Sequence, residues 1–244
     1  MIAAQVASEV PESLAAYRHG VADGPGGPGA TPLRALRDPL VFDATLSAFA
    51  AGLGPEAGCI PCDRRILVSY WSQFYFAALA TPALTALIRL GRPLPLAFDA
   101  MSLERDGAGR PCRFRLPAAG CGSCQAPGLA GLVEAHLRPF VELCHARCGI
   151  APRILWGNAA VILDYVAREL GDGETAACDD VASCLGWRAG PACSKSPLAQ
   201  ALCPGASGCR RRVCCLRHRL PGVPSCGALC PVDCAAQRRS EPRC

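Results

Sequence analysis

The chain has 244 residues, 51% of them hydrophobic, which is enough to bury one sizeable core and carry a small appended module, so a globular protein is expected. The formal charge of +5 is uneven, because residues 209–244 hold eight Arg against only Asp233 and Glu241, so the basic character belongs to the tail. Eighteen cysteines exceed what packing needs and leave two classes, a disulfide scaffold in an oxidising compartment or thiolate metal ligands in a reducing one.

The N-terminus separates these two. Met1–Tyr17 carries Glu9 and Glu12 and has neither a basic n-region nor an apolar h-region, so it does not read as a secretory signal. A cytoplasmic protein with reduced thiols and bound metal is the expectation. Residues 1–40 read as a short helix followed by a flexible connector over 20–32, where Gly20, Gly24, Pro25, Gly26, Gly27, Pro28, Gly29 and Pro32 gather. A mainly helical domain is expected over 41–195. Leu46, Phe49 and Leu53 fall at helical spacing, and a longer apolar helix runs from about Arg64 until Pro82 breaks it, with a second segment ending near Gly91. The stretch Ile66–Ile88 is uncharged, but Ser69, Ser72, Gln73 and Thr85 are spread through it, which suits a buried helix pair better than a membrane span. Residues 94–103 and 110–116 read as the strands of a hairpin turned at Asp106, Gly107 and Gly109.

Leu129, Leu132, Val133, His136, Leu137, Phe140, Val141 and Cys144 repeat on one helical face that Gly149 ends. Pro152 opens a further helix, apolar at Ile154, Leu155, Ile162, Leu163, Val166 and Leu170, and Gly171 stops it. Residues 171–195 read as a loop-rich crossing. From 196 to 244 Cys, Arg, Pro and Gly replace the helical pattern, so this small module needs a cross-link or a metal to fold. The fold class is therefore α+β: a mainly helical domain with a β-hairpin and a small Cys-rich C-terminal module.

The tail reads Cys214-Cys215, ten residues, Cys226, three residues, Cys230, with Pro221, Gly222 and Pro224 in the loop between. A loop this short is cheap to close, and its Pro and Gly residues ease the bend. A single zinc ion is generally held by Cys pairs spaced two to four apart, whereas adjacent thiolates can reach different edges of a two-iron rhomb. The run Arg212-Val213-Cys214-Cys215-Leu216-Arg217-His218-Arg219-Leu220-Pro221, followed by Cys226-Gly227, resembles the C-terminal signature of the FhuF-like ferric-siderophore reductases. Trp71-Ser72-Gln73-Phe74-Tyr75 and Leu155-Trp156-Gly157-Asn158-Ala159 are similar to upstream segments of that family, so the resemblance covers roughly residues 40–232. It implies a 2Fe-2S cluster on Cys214, Cys215 and Cys226. The fourth ligand departs from the family spacing, with Cys230 preferred and Cys234 its competitor.

The resemblance also implies one-electron reduction of a ferric siderophore, of hydroxamate type, with no acid, base or nucleophile involved and with release of Fe(II), which is poorly matched to hard oxygen ligands. An external electron-donor protein is implied, because no flavin or nicotinamide site is visible. So is a cytoplasmic location, with peripheral contact to the inner membrane or a siderophore importer. Arg212, Arg217 and Arg219, with Arg210 and Arg211, would offset the charge of a tetrathiolate centre and dock an anionic substrate or an acidic donor.

Other signals favour plainer readings. Gly24-Pro25-Gly26-Gly27-Pro28-Gly29 matches the dinucleotide fingerprint in letters only, since no strand precedes it and its prolines remove amide donors. Cys59/Cys62 and Cys121/Cys124 have metal-pair spacing and could form a second site, against the plainer reading of loop thiols. Cys144 with Cys148, and Trp71, Phe74, Tyr75 and Phe76, read as core packing. His218 reads as a solvated loop residue. Asn158, an amide in an apolar helix, requires a hydrogen-bond partner on a neighbouring element and is a candidate for positioning the Cys-rich module. The competing class is a zinc-stabilised, Arg-rich nucleic-acid-binding module, opposed by the Cys spacing and by the absence of stacking aromatics after Trp187.

Overall fold

A computed structural model of the chain describes residues 1–27, 29–54, 63–117, 128–171, 176–187, 196–205 and 208–232. Helix α1 (Ile2–Glu9) and the short strands β1 (Val21–Ala22) and β2 (Thr31–Pro32) come first. The connector expected over 20–32 thus contributes two strands. Val6, Leu14, Leu33 and Leu36 are buried in the same core as the helices that follow. Asp38 caps α2 (Pro39–Ala51) by accepting from Leu40 N at 2.8 Å, and Pro39 occupies the first turn, where no amide donor is needed.

Helix α3 (Arg64–Leu90) is one unbroken helix of 27 residues, not the pair expected from Pro82. Pro82 removes the N–H that would bond Ala78 O, but it does not end the helix, because tertiary packing covers the gap. Gly20 lies directly against Ala78 O: a Cβ added there would sit 2.2 Å from that oxygen, so only glycine permits the approach. By length and hydropathy α3 could cross a membrane, yet 67% of its most apolar window is buried inside the fold, which makes it the core helix.

Strands β3 (Ser102–Arg105) and β4 (Pro111–Arg115) form the expected hairpin. Its first strand is shorter than predicted, and a bulge lies between Glu104 and Arg105. Asp106 Oδ1 builds the turn by accepting from Ala108 N and Arg110 N. The sheet order is β1-β4-β3-β2, with β1 parallel to β4 and the other pairs antiparallel. Leu103 and Phe114 oppose each other and are buried in the core. Glu104 bonds Arg115 at 2.5 Å from the other face.

Helix α4 (Gly128–Leu132) passes through a π-helical turn at Val133–Leu137 into α5 (Arg138–Cys148). The widened turn comes just before Pro139, which lacks the N–H for an α-type bond to Ala135. Gly149 closes α5 in the left-handed conformation at φ 68°. Helix α6 (Pro152–Leu170) begins and ends where its Pro and Gly predict. Within the stretch read as loop-rich, residues 176–185 instead form α7 (Ala176–Leu185), a correction. Only Val181, Ala182 and Leu185 of this helix are buried, too few for a clear periodic signal. Helix α8 (Pro197–Ala201) leads into an antiparallel hairpin, β5 (Leu202–Gly205) and β6 (Gly208–Arg211), which the sequence did not suggest.

The core is organised on α3 and α6, the most extensively packed pair of helices. Trp71, Tyr75 and Phe76 lie among Phe98, Phe114 and Phe140, with the Tyr75 and Phe140 rings stacked at 4.1 Å, so the core reading of these aromatics is correct. Fully buried His136 donates from Nδ1 to Leu96 O at 2.7 Å and accepts at Nε2 from the Tyr75 hydroxyl at 2.6 Å. Burial holds its pKa down at about 4.

Candidate metal centre

β6 delivers the chain to the α3–α6 seam, and a buried hydrogen-bond network fixes it there. Arg211, 2% exposed, lays its stem against Gly157 and donates from Nε to Asn158 Oδ1 at 2.9 Å. Asn158 Nδ2 donates to Ser69 O at 2.9 Å and to Ser72 Oγ at 3.0 Å. The Ser69 hydroxyl then donates to Cys215 O at 2.6 Å. The amide thus has its partner and links both core helices to the cysteine segment. Sequence reasoning identified Asn158 as needing a partner, but read Ser69 and Ser72 only as polar residues that argue against a membrane span, not as that partner.

After Cys215 the chain reverses at Leu216, whose φ of 64° is the one positive value on a non-glycine among the described residues. Its amide points at Cys214 Sγ at 3.4 Å. Arg217 then closes the loop. Its Nε donates to Pro224 O at 2.8 Å, Nη2 to Ser225 O at 3.1 Å and Nη1 to Gln73 Oε1 at 3.3 Å, and the guanidinium lies over the Tyr70 ring. Arg212 and Arg219 are exposed.

These turns bring Cys214, Cys215, Cys226 and Cys230, all free thiols, around one cavity of about 120 Å³ that Val232 also lines. Cys215 Sγ and Cys226 Sγ are 3.7 Å apart, and exposed His218 has Nδ1 3.5 Å from Cys214 Sγ. The hydrogen bond with Cys226 is the main cause that holds the Cys215 thiol down to about 5, and the charge of Arg211 adds to it against burial. The same contact pushes Cys226 up, and burial raises Cys214. Among the described residues no three His, Cys, Asp or Glu side chains meet at a point that could hold one metal ion. Four thiols lining a cavity with a buried cation nearby nonetheless form a donor set suited to a larger anionic centre, so the residues present fit an iron-sulfur group.

Elsewhere Cys144 is buried on the apolar face of α5, as expected of a packing residue. Cys59, Cys62, Cys121, Cys124 and Cys234 lie outside the described residues.

Fold and site together define a class: a mainly helical α+β protein with a four-thiol pocket bolted to its two central helices. The chain belongs to the FhuF-like ferric iron reductase family, described as "Ferric iron reductase FhuF-like transporter", which matches residues 69–195 and so includes Ser69 and Asn158. It is also 22% identical over 214 residues to the ferric siderophore reductase of Escherichia coli (strain K12), covering 84% of this chain and 80% of that protein. Nothing in these likenesses favours a nucleic-acid-binding module.

Proposed function

We propose that the chain is a ferric-siderophore reductase in which Cys214, Cys215, Cys226 and Cys230 hold a 2Fe-2S cluster. The observation that carries this reading is the single cavity lined by those four free thiols in a member of the FhuF-like family. When bound, the cluster supplies the one electron that converts siderophore-held Fe(III) to Fe(II). The protein's own residues build the environment. Asn158 and Ser69 fix the Cys215 backbone, Arg217 holds the loop of Cys226 against α3, and Leu216 N–H points at a ligand sulfur.

Exposed Arg212 and Arg219, with half-buried Arg217, form the positive rim proposed to receive an anionic ferric chelate of hydroxamate type or an acidic electron-donor protein. Each turnover consumes one electron from that external donor and releases one Fe(II), which hydroxamate oxygens hold poorly. The proposed location is the cytoplasm, with peripheral contact to the inner membrane beside a siderophore importer.

The reaction can be tested by mixing the reduced, anaerobic protein with a ferric trihydroxamate and a ferrous-iron trap. One Fe(II) trapped for each equivalent of protein reoxidised supports the reading, and reoxidation without trapped Fe(II) overturns it.

A further inference from the structure

We propose that Arg211 is the built-in counter-charge of the thiolate centre and raises its reduction potential, with Asn158 as the residue that holds the guanidinium in place. This rests on the reading of the four cysteines as a cluster site. Arg211 lies at the end of β6, 2% exposed, although a guanidinium does not give up its proton inside a protein. A buried cation is costly unless an anion faces it. Among the described residues no carboxylate lies within ion-pair distance of Arg211; the ion pairs of the other arginines all form elsewhere.

Its Nε is taken by the neutral amide of Asn158, while Nη1 is buried and has no hydrogen-bond partner. The hydrogen-bond chain that holds Arg211 runs from Asn158 to the Ser69 hydroxyl and on to Cys215 O, so the guanidinium is built into the same buried network that anchors the ligand segment. A fixed cation that lacks a carboxylate and shares a buried network with the ligand segment is explained by a centre that carries negative charge in the working protein. Asn158 makes this arrangement specific, because a neutral amide orients the guanidinium without cancelling its charge, as a carboxylate would.

The electron balance gives the sign. Reduction adds one electron to the centre with no bond made or broken in the protein, so a nearby buried positive charge favours the reduced form. Exposed Arg212, the next residue, is screened by water and serves as the comparison.

The test is an anaerobic redox titration of wild type, Arg211→Gln, Arg211→Lys, Asn158→Asp and Arg212→Gln, each followed by visible absorption. Arg211→Gln is expected to lower the reduced-to-oxidised ratio at fixed ambient potential about tenfold, equivalent to about 59 mV for one electron. Arg211→Lys, which keeps the charge, is expected to stay within about threefold of wild type. Asn158→Asp, which puts a carboxylate on the guanidinium, is expected to fall in the direction of Arg211→Gln and replaces that variant if it does not fold. Arg212→Gln is expected to move the ratio least. The proposal is overturned if the Gln and Lys variants shift equally, which would mark a packing role, or if no variant shifts. A wild type that is colourless after anaerobic purification would instead remove the cluster reading on which the proposal rests.

Discussion

Asn158 uses both ends of its amide at once, accepting from a buried cation and donating to Ser69 and Ser72 of another helix. Asn158→Leu would leave Arg211 Nε without its partner in a site that water does not reach, while Ser72 Oγ keeps its bond to Ser69 O. A loss of about 3 kcal/mol in unfolding free energy is expected, since each orphaned buried group costs on the order of 1–3 kcal/mol and charged groups cost more. Urea unfolding of the wild type and the variant measures it directly. His136 makes a separate prediction. Its folded pKa of about 4 lies below the usual 6.5, so between these values the unfolded chain binds more protons and stability rises with pH. Its contribution, about 3 kcal/mol on the scale of 1.36 kcal/mol for each pKa unit, is complete above pH 6.5 and lost as the pH falls toward 4. The urea midpoint should drop across that window, and His136→Gln should flatten the drop; an unchanged midpoint from pH 7 to 4 would refute it.

At the scale of elements, Arg217 joins the 217–225 loop to α3 and leaves the helical core untouched. Arg217→Leu should therefore speed loss of bound metal to a chelator about tenfold or more, the range typical of partners that orient ligands, while the far-UV thermal transition of the helices moves little. Equal metal retention would show that the loop closes without it. The elements legible in the sequence were those whose ends are written in Pro and Gly, as at Pro152, Gly171 and Gly149, and whose faces repeat regularly, as from Leu129 to Cys144. Pro82 misled because the rule against helix-interior proline is local, whereas the glycine that packs on the freed carbonyl of Ala78 is Gly20, far away in sequence. Helix α7 was invisible because three buried residues do not make a pattern. The site divided in the same way. The four cysteines stand out in the sequence and the need of Asn158 for a partner was readable, but its partners Ser69 and Arg211 lie 89 and 53 positions away and only the fold identifies them.

Over the whole molecule, the segment that carries Cys215 is held by polar anchors buried in the seam of α3 and α6, so the placing of the four-thiol cavity depends on the helical core. On the proposed reading, the four-thiol cavity anchored there holds a 2Fe-2S cluster. The most direct measurement of that claim is the low-temperature EPR and visible spectrum of protein purified without oxygen, before and after dithionite, with iron, acid-labile sulfide and zinc quantified on the same sample. The account predicts a reddish protein with about two irons and two sulfides per chain that becomes EPR-active on reduction; a colourless protein with one zinc per chain and no sulfide would contradict it.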